Sequence, residues 1–301
     1  MTTVRTEDIQ IRDPFVLAVP EEGRYYLFGS TDPNIWSGPG IGFDCYRGTD
    51  LESWEGPIEA FRPPPGFWSP GQYWAPEVHP FAGRWFMVAT FSNADQTARG
   101  TQILVADDPS GPYAPWSDGP VTPPDWLCLD GTLLVDEDRP WMVFCREWVQ
   151  IDDGQICAVP LSADLRTATA EPVVLFFASS APWAHAIGND AERPRYVTDG
   201  PFLHRMPSGE LVMLWSSFGT RGYAMGLARS ASGSVLGPWT HESKPLWAED
   251  GGHGMFVETL DGRLLMTLHA PNDTPNERAR FIPITLGTDG LPAPILRPTT
   301  G

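Results

Sequence analysis

The sequence predicts an all-β protein whose strands form a five-bladed β-propeller. Thirty-two prolines and thirty glycines among 301 residues leave few stretches long enough for a helix. Many short apolar runs are separated by turn residues, and one two-strand pattern occurs five times along the chain. Such a recurrence is typical of a repeat architecture. A pair of β-sandwiches or a jelly roll would account for the strands but not for the fivefold pattern.

The repeating unit is a polar residue, a short apolar strand, a turn that often holds glycine, and a second apolar strand. Its clearest copy runs from Thr198 to Leu203 and continues from Gly209 to Phe218. The polar residues near the start of the five copies are Asp13, Glu77, Asp130, Asp199 and His253, which stand 64, 53, 69 and 54 residues apart. This spacing leaves room for two further strands in each copy, so each copy predicts a four-stranded blade.

In a propeller, the innermost strand of each blade lines the central axis. The polar residues that open these strands are therefore expected to meet around one pit. We predict a single domain over residues 1–301, with blades that start near positions 13, 74, 130, 199 and 253.

Charge and hydropathy exclude several classes of partner. The formal net charge of -18 disfavours nucleic acid and anionic membrane surfaces, because both would be repelled. No run of about 18 apolar residues predicts a membrane span. The first residues lack the apolar segment of a secretory signal, so a cytoplasmic location is expected.

The four cysteines give no sign of a metal or disulfide framework. Cys45, Cys128, Cys145 and Cys157 lack CxxC spacing and are too sparse for a secreted disulfide scaffold. Buried free thiols are therefore predicted in preference to a zinc site.

Three aspartates are candidates for chemistry because of their surroundings. Asp130 lies within an apolar run from Cys128 to Leu134, and an unpartnered carboxylate is costly to bury. Taken singly, Asp13 before a proline is an ordinary turn initiator, and Asp130 could cap a turn. Together with Asp199 they occupy similar places in three copies, which favours a shared function.

Five short motifs, in this order, resemble glycoside hydrolase family 43, the five-bladed propeller arabinofuranosidases and xylosidases. They are Arg12–Phe15, Trp74–Glu77, Leu129–Gly131, Thr198–Pro201 and Gly252–Gly254. The resemblance extends from about Arg12 to about Ile284, and the order and spacing of the motifs carry it more than any one of them.

The resemblance implies roles for the acidic residues. Asp13 matches the general base that activates water, and Asp130 matches the aspartate that orients the acid and tunes its pKa. Asp199 stands where the family has its general acid, although the family motif usually has glutamate before Gly-Pro. Glu77 matches a supporting acid.

The shorter side chain of Asp199 raises the question of which residue is the acid. A loss of about 1 Å in reach is serious for general acid catalysis. Glu147 is a second candidate, since an antiparallel hairpin would bring it to the face that carries Asp130. An ion pair with Arg146 or another rim arginine is the alternative role of Glu147.

Aromatic and basic residues near the acids predict substrate contacts. Trp74 and Trp148 adjoin acidic positions and could stack on the apolar face of a sugar ring. Arg146 and Arg221 are also assigned to substrate binding, together with Glu77.

His253 lies between two glycines near the expected axis. The resemblance implies that it ligates a cation in the central channel, calcium or another ion. The residue by itself is equally compatible with a hydrogen-bonded core histidine. No organic cofactor is expected.

These observations predict an inverting glycoside hydrolase that acts on a glycoside or small oligosaccharide. The sugars expected are terminal α-L-arabinofuranosyl or β-D-xylosyl residues, with β-D-galactofuranosyl as a third. The alternative is a propeller that binds carbohydrate and has lost catalysis. A transferase that acts on sugar phosphates is disfavoured, because the sequence has no basic phosphate-binding cluster.

Overall fold

The computed structural model describes residues 2–136, 139–288 and 290–295. It contains five antiparallel sheets, each built from strands that are consecutive in the chain. The innermost strands of the first four sheets contact one another in order, and the fifth sheet contacts the first. A hydrogen bond from the His253 N–H to Ser216 Oγ joins the fourth sheet to the fifth blade. The fold is therefore the five-bladed β-propeller that the repeat predicts. The turn expected at positions 136–138 includes residues 137 and 138, which lie outside the described residues.

The strands are numbered in chain order. Blade 1 contains β1 (Thr2–Arg5), β2 (Arg12–Val19), β3 (Arg24–Ser30), β4 (Phe43–Gly48) and β5 (Ser53–Phe61). Blade 2 contains β6 (Gly71–Phe81), β7 (Arg84–Ser92), β8 (Arg99–Ala106) and β9 (Ala114–Pro120). Blade 3 contains β10 (Cys128–Asp136), β11 (Arg139–Arg146), β12 (Gln155–Pro160) and β13 (Val173–Phe177). Blade 4 contains β14 (Asp199–Arg205), β15 (Leu211–Gly219), β16 (Gly222–Ser230) and β17 (Trp239–His241). Blade 5 contains β18 (Phe256–Glu258), β19 (Leu264–Ala270), β20 (Arg278–Leu286) and β21 (Pro292–Pro294).

Helical segments are short. One turn of α-helix, α1 (Trp148–Ile151), follows β11, and three 3-10 turns cover Thr6–Asp8, Pro20–Glu22 and Ala178–Ser180. Within the described ranges, no helix is long and apolar enough to span a membrane.

The middle strands of the blades are buried on both faces because each blade packs between two others. All eight residues of β8 are buried, as are the first seven of β15. This burial explains why these strands appear as continuous apolar runs and lack strict alternation. The four cysteines lie in this interior as buried free thiols, as the sequence predicts.

Each blade carries a residue with left-handed backbone conformation near the start of its inner strand, and blade 2 has a second one at Gln72, with φ of 57°. The five residues, one in each blade, are Asp13, Ala75, Asp130, Gly200 and His253, with φ of 53°, 46°, 54°, 52° and 47°. In the first four blades the residue lies within a register shift between the first two strands. A bulge of this kind inserts residues and redirects the side chains that follow.

The bulge corrects the alignment of the repeats in two blades. The residue equivalent to Asp13 and Asp130 is Ala75 in blade 2, where Glu77 was expected, and Gly200 in blade 4, where Asp199 was expected. In blade 4, Asp199 comes directly before the left-handed residue Gly200. In blade 2, Glu77 comes two positions after the left-handed residue Ala75. Sequence spacing alone did not reveal this offset, because the bulge changes the side-chain direction within two or three residues.

The same left-handed residues connect neighbouring blades. The backbone N–H of Ala75 donates to Ser30 Oγ, that of Asp130 to Thr90 Oγ1, and that of His253 to Ser216 Oγ, each at 2.8 Å. The N–H of Asp13 donates to His269 Nδ1 at 3.2 Å, which joins blade 5 to blade 1. The N–H of Gly200 donates to Asp130 Oδ2 at 3.0 Å.

Side chains also join the last blade to the first. Arg12 Nη1 lies 2.8 Å from Glu277 Oε1, and this ion pair is nearly inaccessible to solvent. Thr267 Oγ1 donates to the carbonyl of Pro14 at 3.0 Å. These contacts bring the start of β2 beside the loop that follows β19.

Candidate active site

A cavity of about 660 Å³ opens at the end of the propeller where the inner strands begin. The predicted site residues that line it are Asp13, Asp130, Glu147, Asp199, His253, Trp74 and Trp148. Four carboxyl groups, one imidazole and two indole rings from all five blades and from α1 thus converge on one space. The side chains come together because the inner strands all start at this end of the ring.

Asp13 is held on both carboxylate oxygens. Ser30 Oγ donates to Oδ2 at 2.6 Å, and His253 Nδ1 lies 3.0 Å from Oδ1. Burial opposes the charge of Asp13, but the His253 imidazole and its neighbours outweigh burial and hold the pKa well below its usual range. Asp13 is therefore ionised at neutral pH.

His253 lies between two carboxylates. Its Nδ1 atom is 3.0 Å from Asp13 Oδ1 and 3.6 Å from Asp130 Oδ2. Burial disfavours the protonated ring, but Asp13, Asp130 and Asp199 outweigh it and raise the pKa of His253 to about 10. The ring is thus a cation between acidic groups.

The surroundings of His253 do not form a metal site built from protein ligands alone. Across the described residues, no group of three or more His, Cys, Asp or Glu side chains is arranged to hold an ion. Calcium prefers six to eight oxygen ligands, and the His253 nitrogen that faces the carboxylates already contacts both of them. The cation implied by the resemblance stays a prediction, and no step below depends on it.

Asp130, which is buried, and Asp199, which is partly buried, form an acidic pair. Burial raises the pKa of Asp130 to about 8, although the His253 charge opposes the shift and repulsion from Asp199 adds to it. Burial also raises the pKa of Asp199, against the His253 charge and a 3.0 Å hydrogen bond from Tyr223 Oη. Two interacting carboxyl groups of this kind titrate together, so the pair retains a proton to higher pH than an exposed aspartate would.

Glu147 is paired with Arg99. The two side chains form a buried ion pair, with Glu147 7% exposed. Arg99 Nη2 also donates to Gln72 Oε1 at 2.9 Å, and its guanidinium lies 4.6 Å from the centre of the Trp74 ring. Burial raises the pKa of Glu147, and Arg99 opposes this shift. The ion pair foreseen for Glu147 thus exists, with Arg99 in place of Arg146.

Three residues assigned to substrate binding lie outside the cavity lining. Glu77 Oε2 is 2.9 Å from the Nε2 atom of His79, Arg146 stacks on Trp126 at 4.0 Å, and Arg221 pairs with Glu249 at 2.6 Å. Their distance from the acids has simple causes. Glu77 follows the left-handed residue of blade 2 by two positions. Arg146 is the last residue of β11, whereas Glu147 comes after that strand and precedes α1, and Arg221 lies in the turn between β15 and β16.

Residues that the sequence analysis did not single out complete the lining. They include Arg12, Ser30, Ile187, Phe218, Tyr223 and Asn272. Arg12 Nη2 donates to Asn272 Oδ1 at 2.7 Å, and the Arg12 guanidinium lies 5.0 Å from the centre of the Trp36 ring. The position of Arg12 beside Asp13 was a usable signal. No motif in the sequence indicated Tyr223, because it lies on the third strand of its blade, away from the inner strand that carries the motif.

The arrangement provides the two groups that glycoside hydrolysis requires. One carboxylate, Asp13, is ionised and oriented, while the Asp130 and Asp199 pair retains a proton. They belong to blades on different sides of the cavity, so they can face a bound sugar from different directions. The aromatic residues of the lining can contact the apolar faces of such a sugar.

Comparison with known proteins agrees with this fold. The family model described as Glycosyl hydrolases family 43 matches residues 8–292. The chain therefore belongs to glycosyl hydrolase family 43, as the five sequence motifs indicated.

Two solved structures and one curated protein illustrate the relationship. An endo-arabinase from Bacteroides thetaiotaomicron is 40% identical, with a TM-score of 0.87 over 96% of this chain and 99% of that chain. An α-L-arabinofuranosidase from Lactobacillus brevis is 21% identical, with a TM-score of 0.76 over 96% of this chain and 97% of that chain, and shows the shared fold. Alpha-L-arabinofuranosidase 43 from Humicola insolens is 25% identical over 255 residues, 74% of this chain and 49% of the relative. The chain thus spans about half the length of that curated relative.

Proposed function

We propose that this protein is an inverting glycoside hydrolase that removes terminal pentose residues from a glycoside or small oligosaccharide. The convergence of Asp13, Asp130, Asp199 and Glu147 on one cavity with aromatic walls carries the proposal. The names of two similar proteins, an endo-arabinase and an α-L-arabinofuranosidase, support α-L-arabinofuranosyl as the first choice of sugar. β-D-Xylosyl and β-D-galactofuranosyl residues are the next candidates.

Asp13 is the proposed general base. An inverting hydrolase needs a carboxylate that accepts a proton from the water that attacks the anomeric carbon. Asp13 is ionised and fixed by contacts to both of its oxygens. Its low pKa means that it stays available as an acceptor throughout the neutral range.

Asp199 is the proposed general acid. Its carboxyl group contacts the Tyr223 hydroxyl, and burial raises its pKa, which favours the protonated form that a general acid requires. Glu147 is less suited to this role because its carboxyl group is already paired with the Arg99 guanidinium. Once Asp199 has given its proton to the leaving oxygen, the hydrogen bond from Tyr223 stabilises the carboxylate.

The other residues bind and orient. Asp130 accepts a hydrogen bond from the N–H of Gly200, the residue after Asp199, so it positions the acid. Burial raises the pKa of Asp130 and repulsion from Asp199 adds to this shift, so the two carboxyl groups titrate together. The Glu147 carboxylate can accept hydrogen bonds from sugar hydroxyls, and Trp74 can stack on the ring.

Leaving-group dependence tests the proposal. The wild type, Asp199→Ala and Glu147→Ala should be compared on a 2,4-dinitrophenyl arabinofuranoside, whose aglycone needs no protonation, and on an arabinose disaccharide. Asp199→Ala should lose about 10²- to 10⁴-fold in kcat on the disaccharide and far less on the activated substrate. The same pattern in Glu147→Ala instead would move the acid role to Glu147, and similar losses on both substrates would contradict either assignment.

A second candidate function is a propeller that binds carbohydrate without cleaving it. Two observations favour it: Asp199 is shorter than the glutamate of the family motif, and Glu147 is paired with Arg99. Calorimetric titration of the wild type with arabinose oligosaccharides separates the two functions. Binding without any release of arabinose, xylose or galactofuranose from the corresponding glycosides would favour the binding protein and refute the hydrolase.

A further inference from the structure

Ser30 has two hydrogen-bond partners in the candidate active site. It ends strand β3, is 3% exposed, and lies where blade 1 meets blade 2. Its Oγ accepts the backbone N–H of Ala75 at 2.8 Å and lies 2.6 Å from Asp13 Oδ2. An amide N–H can only donate, and a serine hydroxyl carries a single proton. The hydroxyl proton of Ser30 is therefore available to Asp13.

This hydrogen bond restrains the carboxylate. Asp13 Oδ2 accepts from Ser30 while Oδ1 lies 3.0 Å from His253 Nδ1, so the carboxylate plane cannot rotate without losing a contact. A hydrogen bond to a charged acceptor is stronger than one between neutral groups. The Ala75 N–H thus orients the Ser30 hydroxyl, and the Ser30 hydroxyl in turn orients the Asp13 carboxylate.

The other blades show that this second partner is particular to Ser30. Thr90 and Ser216 occupy equivalent positions and accept the backbone N–H of Asp130 and His253, each at 2.8 Å. In the hydrogen bonds found for the described ranges, neither hydroxyl donates to a carboxylate. A hydroxyl that accepts the N–H of the next blade's left-handed residue is thus found at three blade junctions. Among these three hydroxyls, the one of Ser30 also donates to a carboxylate, that of Asp13.

We infer that Ser30 is a positioning residue for the general base Asp13, an inference that rests on the proposed hydrolase function. Without the hydroxyl, Asp13 loses one of the contacts that aim it at the attacking water. The chemical step should become slower, because the orientation of the base stabilises the transition state and does not contribute to substrate binding. The effect belongs in kcat, with KM nearly constant.

The experiment compares Ser30→Ala, Ser30→Thr and Ser216→Ala on 4-nitrophenyl α-L-arabinofuranoside or on the glycoside that the wild type prefers. Ser30→Ala should lower kcat by about 10-fold or more, with KM within about twofold. Ser30→Thr keeps the hydroxyl and should recover most of the loss. Ser216→Ala removes an equivalent junction acceptor, so it should lower the melting temperature to a similar degree with a smaller loss of kcat.

Azide distinguishes a misplaced base from general damage to the fold. Azide attacks the anomeric carbon without giving up a proton, forms the C–N bond as the C–O bond to the aglycone breaks, and needs no general base. Sodium azide should therefore raise kcat of Ser30→Ala and yield the glycosyl azide, as it should for Asp13→Ala. Ser216→Ala should not respond.

Two outcomes would overturn the inference. Wild-type kcat in Ser30→Ala would refute the role of Ser30 alone, and so would an azide-insensitive loss equal to that of Ser216→Ala. A wild type that cleaves no glycoside in the panel would refute the hydrolase function itself, together with the base that Ser30 is proposed to hold. The wild-type assay therefore separates the two failures.

Discussion

Asp130 Oδ2 accepts a hydrogen bond from the backbone N–H of Gly200 at 3.0 Å, and this bond joins blade 3 to blade 4. At the other four junctions, a Ser, Thr or His accepts the equivalent N–H, and it lies on the strand next to the innermost one in the preceding blade. In blade 3 that position holds Cys145, which pairs with Leu129 and carries a weakly accepting thiol. Asp130 takes over the structural bond and also lies in the active site.

Substitution of Asp130 should separate these two tasks. Asp130→Asn retains an oxygen that can accept the Gly200 N–H, whereas Asp130→Ala leaves a buried donor without a partner, at a cost of about 1–3 kcal/mol. We expect thermal unfolding close to wild type for Asp130→Asn and clearly earlier for Asp130→Ala. Both should lose activity, because neither variant has a titratable carboxyl group beside Asp199 and His253. Equal destabilisation of the two variants would contradict the structural role.

Tyr223→Phe should change the pH dependence in a defined direction. The Tyr223 hydroxyl donates to Asp199 and favours its charged form, so its removal should raise the pKa of Asp199 further. A general acid acts while it is protonated, and wild-type kcat/KM on a disaccharide should fall as pH rises through this raised pKa. In Tyr223→Phe the fall should occur at higher pH.

The control for this profile is the 2,4-dinitrophenyl substrate, which needs no general acid and should show no matching alkaline limb. A limb that stays in place in Tyr223→Phe, or moves to lower pH, would show that Asp199 is not the group that titrates.

Arg99→Lys should weaken substrate binding more than it slows catalysis. The Arg99 guanidinium contacts Glu147, Gln72 and the Trp74 ring together, and a lysine ammonium cannot reproduce that planar fork. We expect KM to rise about 10-fold, close to 1.4 kcal/mol of binding free energy, with a smaller change in kcat.

Arg84→Lys is the matched control for Arg99→Lys. Arg84 pairs with Asp107 at 2.8 Å and lies 5.5 Å from the Trp116 ring centre, but this cluster is partly exposed and remote from the cavity lining. Kinetic constants of this variant should match those of the wild type. An effect of Arg84→Lys as large as that of Arg99→Lys would mean that KM reports general stability.

Gly226→Ala should displace the loop that carries Ile187. A Cβ at Gly226 would lie 2.2 Å from Trp183, whose ring anchors the start of that loop against blade 4. Such overpacking typically costs about 1–3 kcal/mol, and the melting temperature should fall accordingly. Gly119→Ala is the control, because a Cβ there meets no atom within 4 Å. Equal stability of both variants would show that Trp183 does not anchor the loop.

The sequence predicted the number of blades and the general place of the site. Five copies of one two-strand pattern need a common core, and turn residues between apolar runs mark where each hairpin reverses. Asp13, Asp130 and His253 could be aligned because each comes at the left-handed residue of its blade. The prediction worked where the motif and the bulge coincide.

The alignment of the repeats was wrong in the two blades where the acidic residue and the left-handed residue are at different positions. Glu77 and Asp199 were aligned with Asp13 by spacing, although Ala75 and Gly200 occupy the equivalent positions. Hydrogen-bond register within a bulge depends on the neighbouring strand, which a local pattern does not contain.

The sequence also did not predict contacts between residues that are far apart in the chain. Arg99 lies 48 positions before Glu147, and Tyr223 lies 24 positions after Asp199. No local motif connects either pair.

By itself, then, the sequence determined a five-bladed propeller with an acidic pit, because strand periodicity and turn chemistry are local properties that the residues carry with them. Only the tertiary structure decided which carboxyl group keeps its proton and which one loses it. Burial, the Arg99 pair beside Glu147 and the imidazole between Asp13 and Asp130 set those pKa values, and all three depend on residues that closure of the ring brings together.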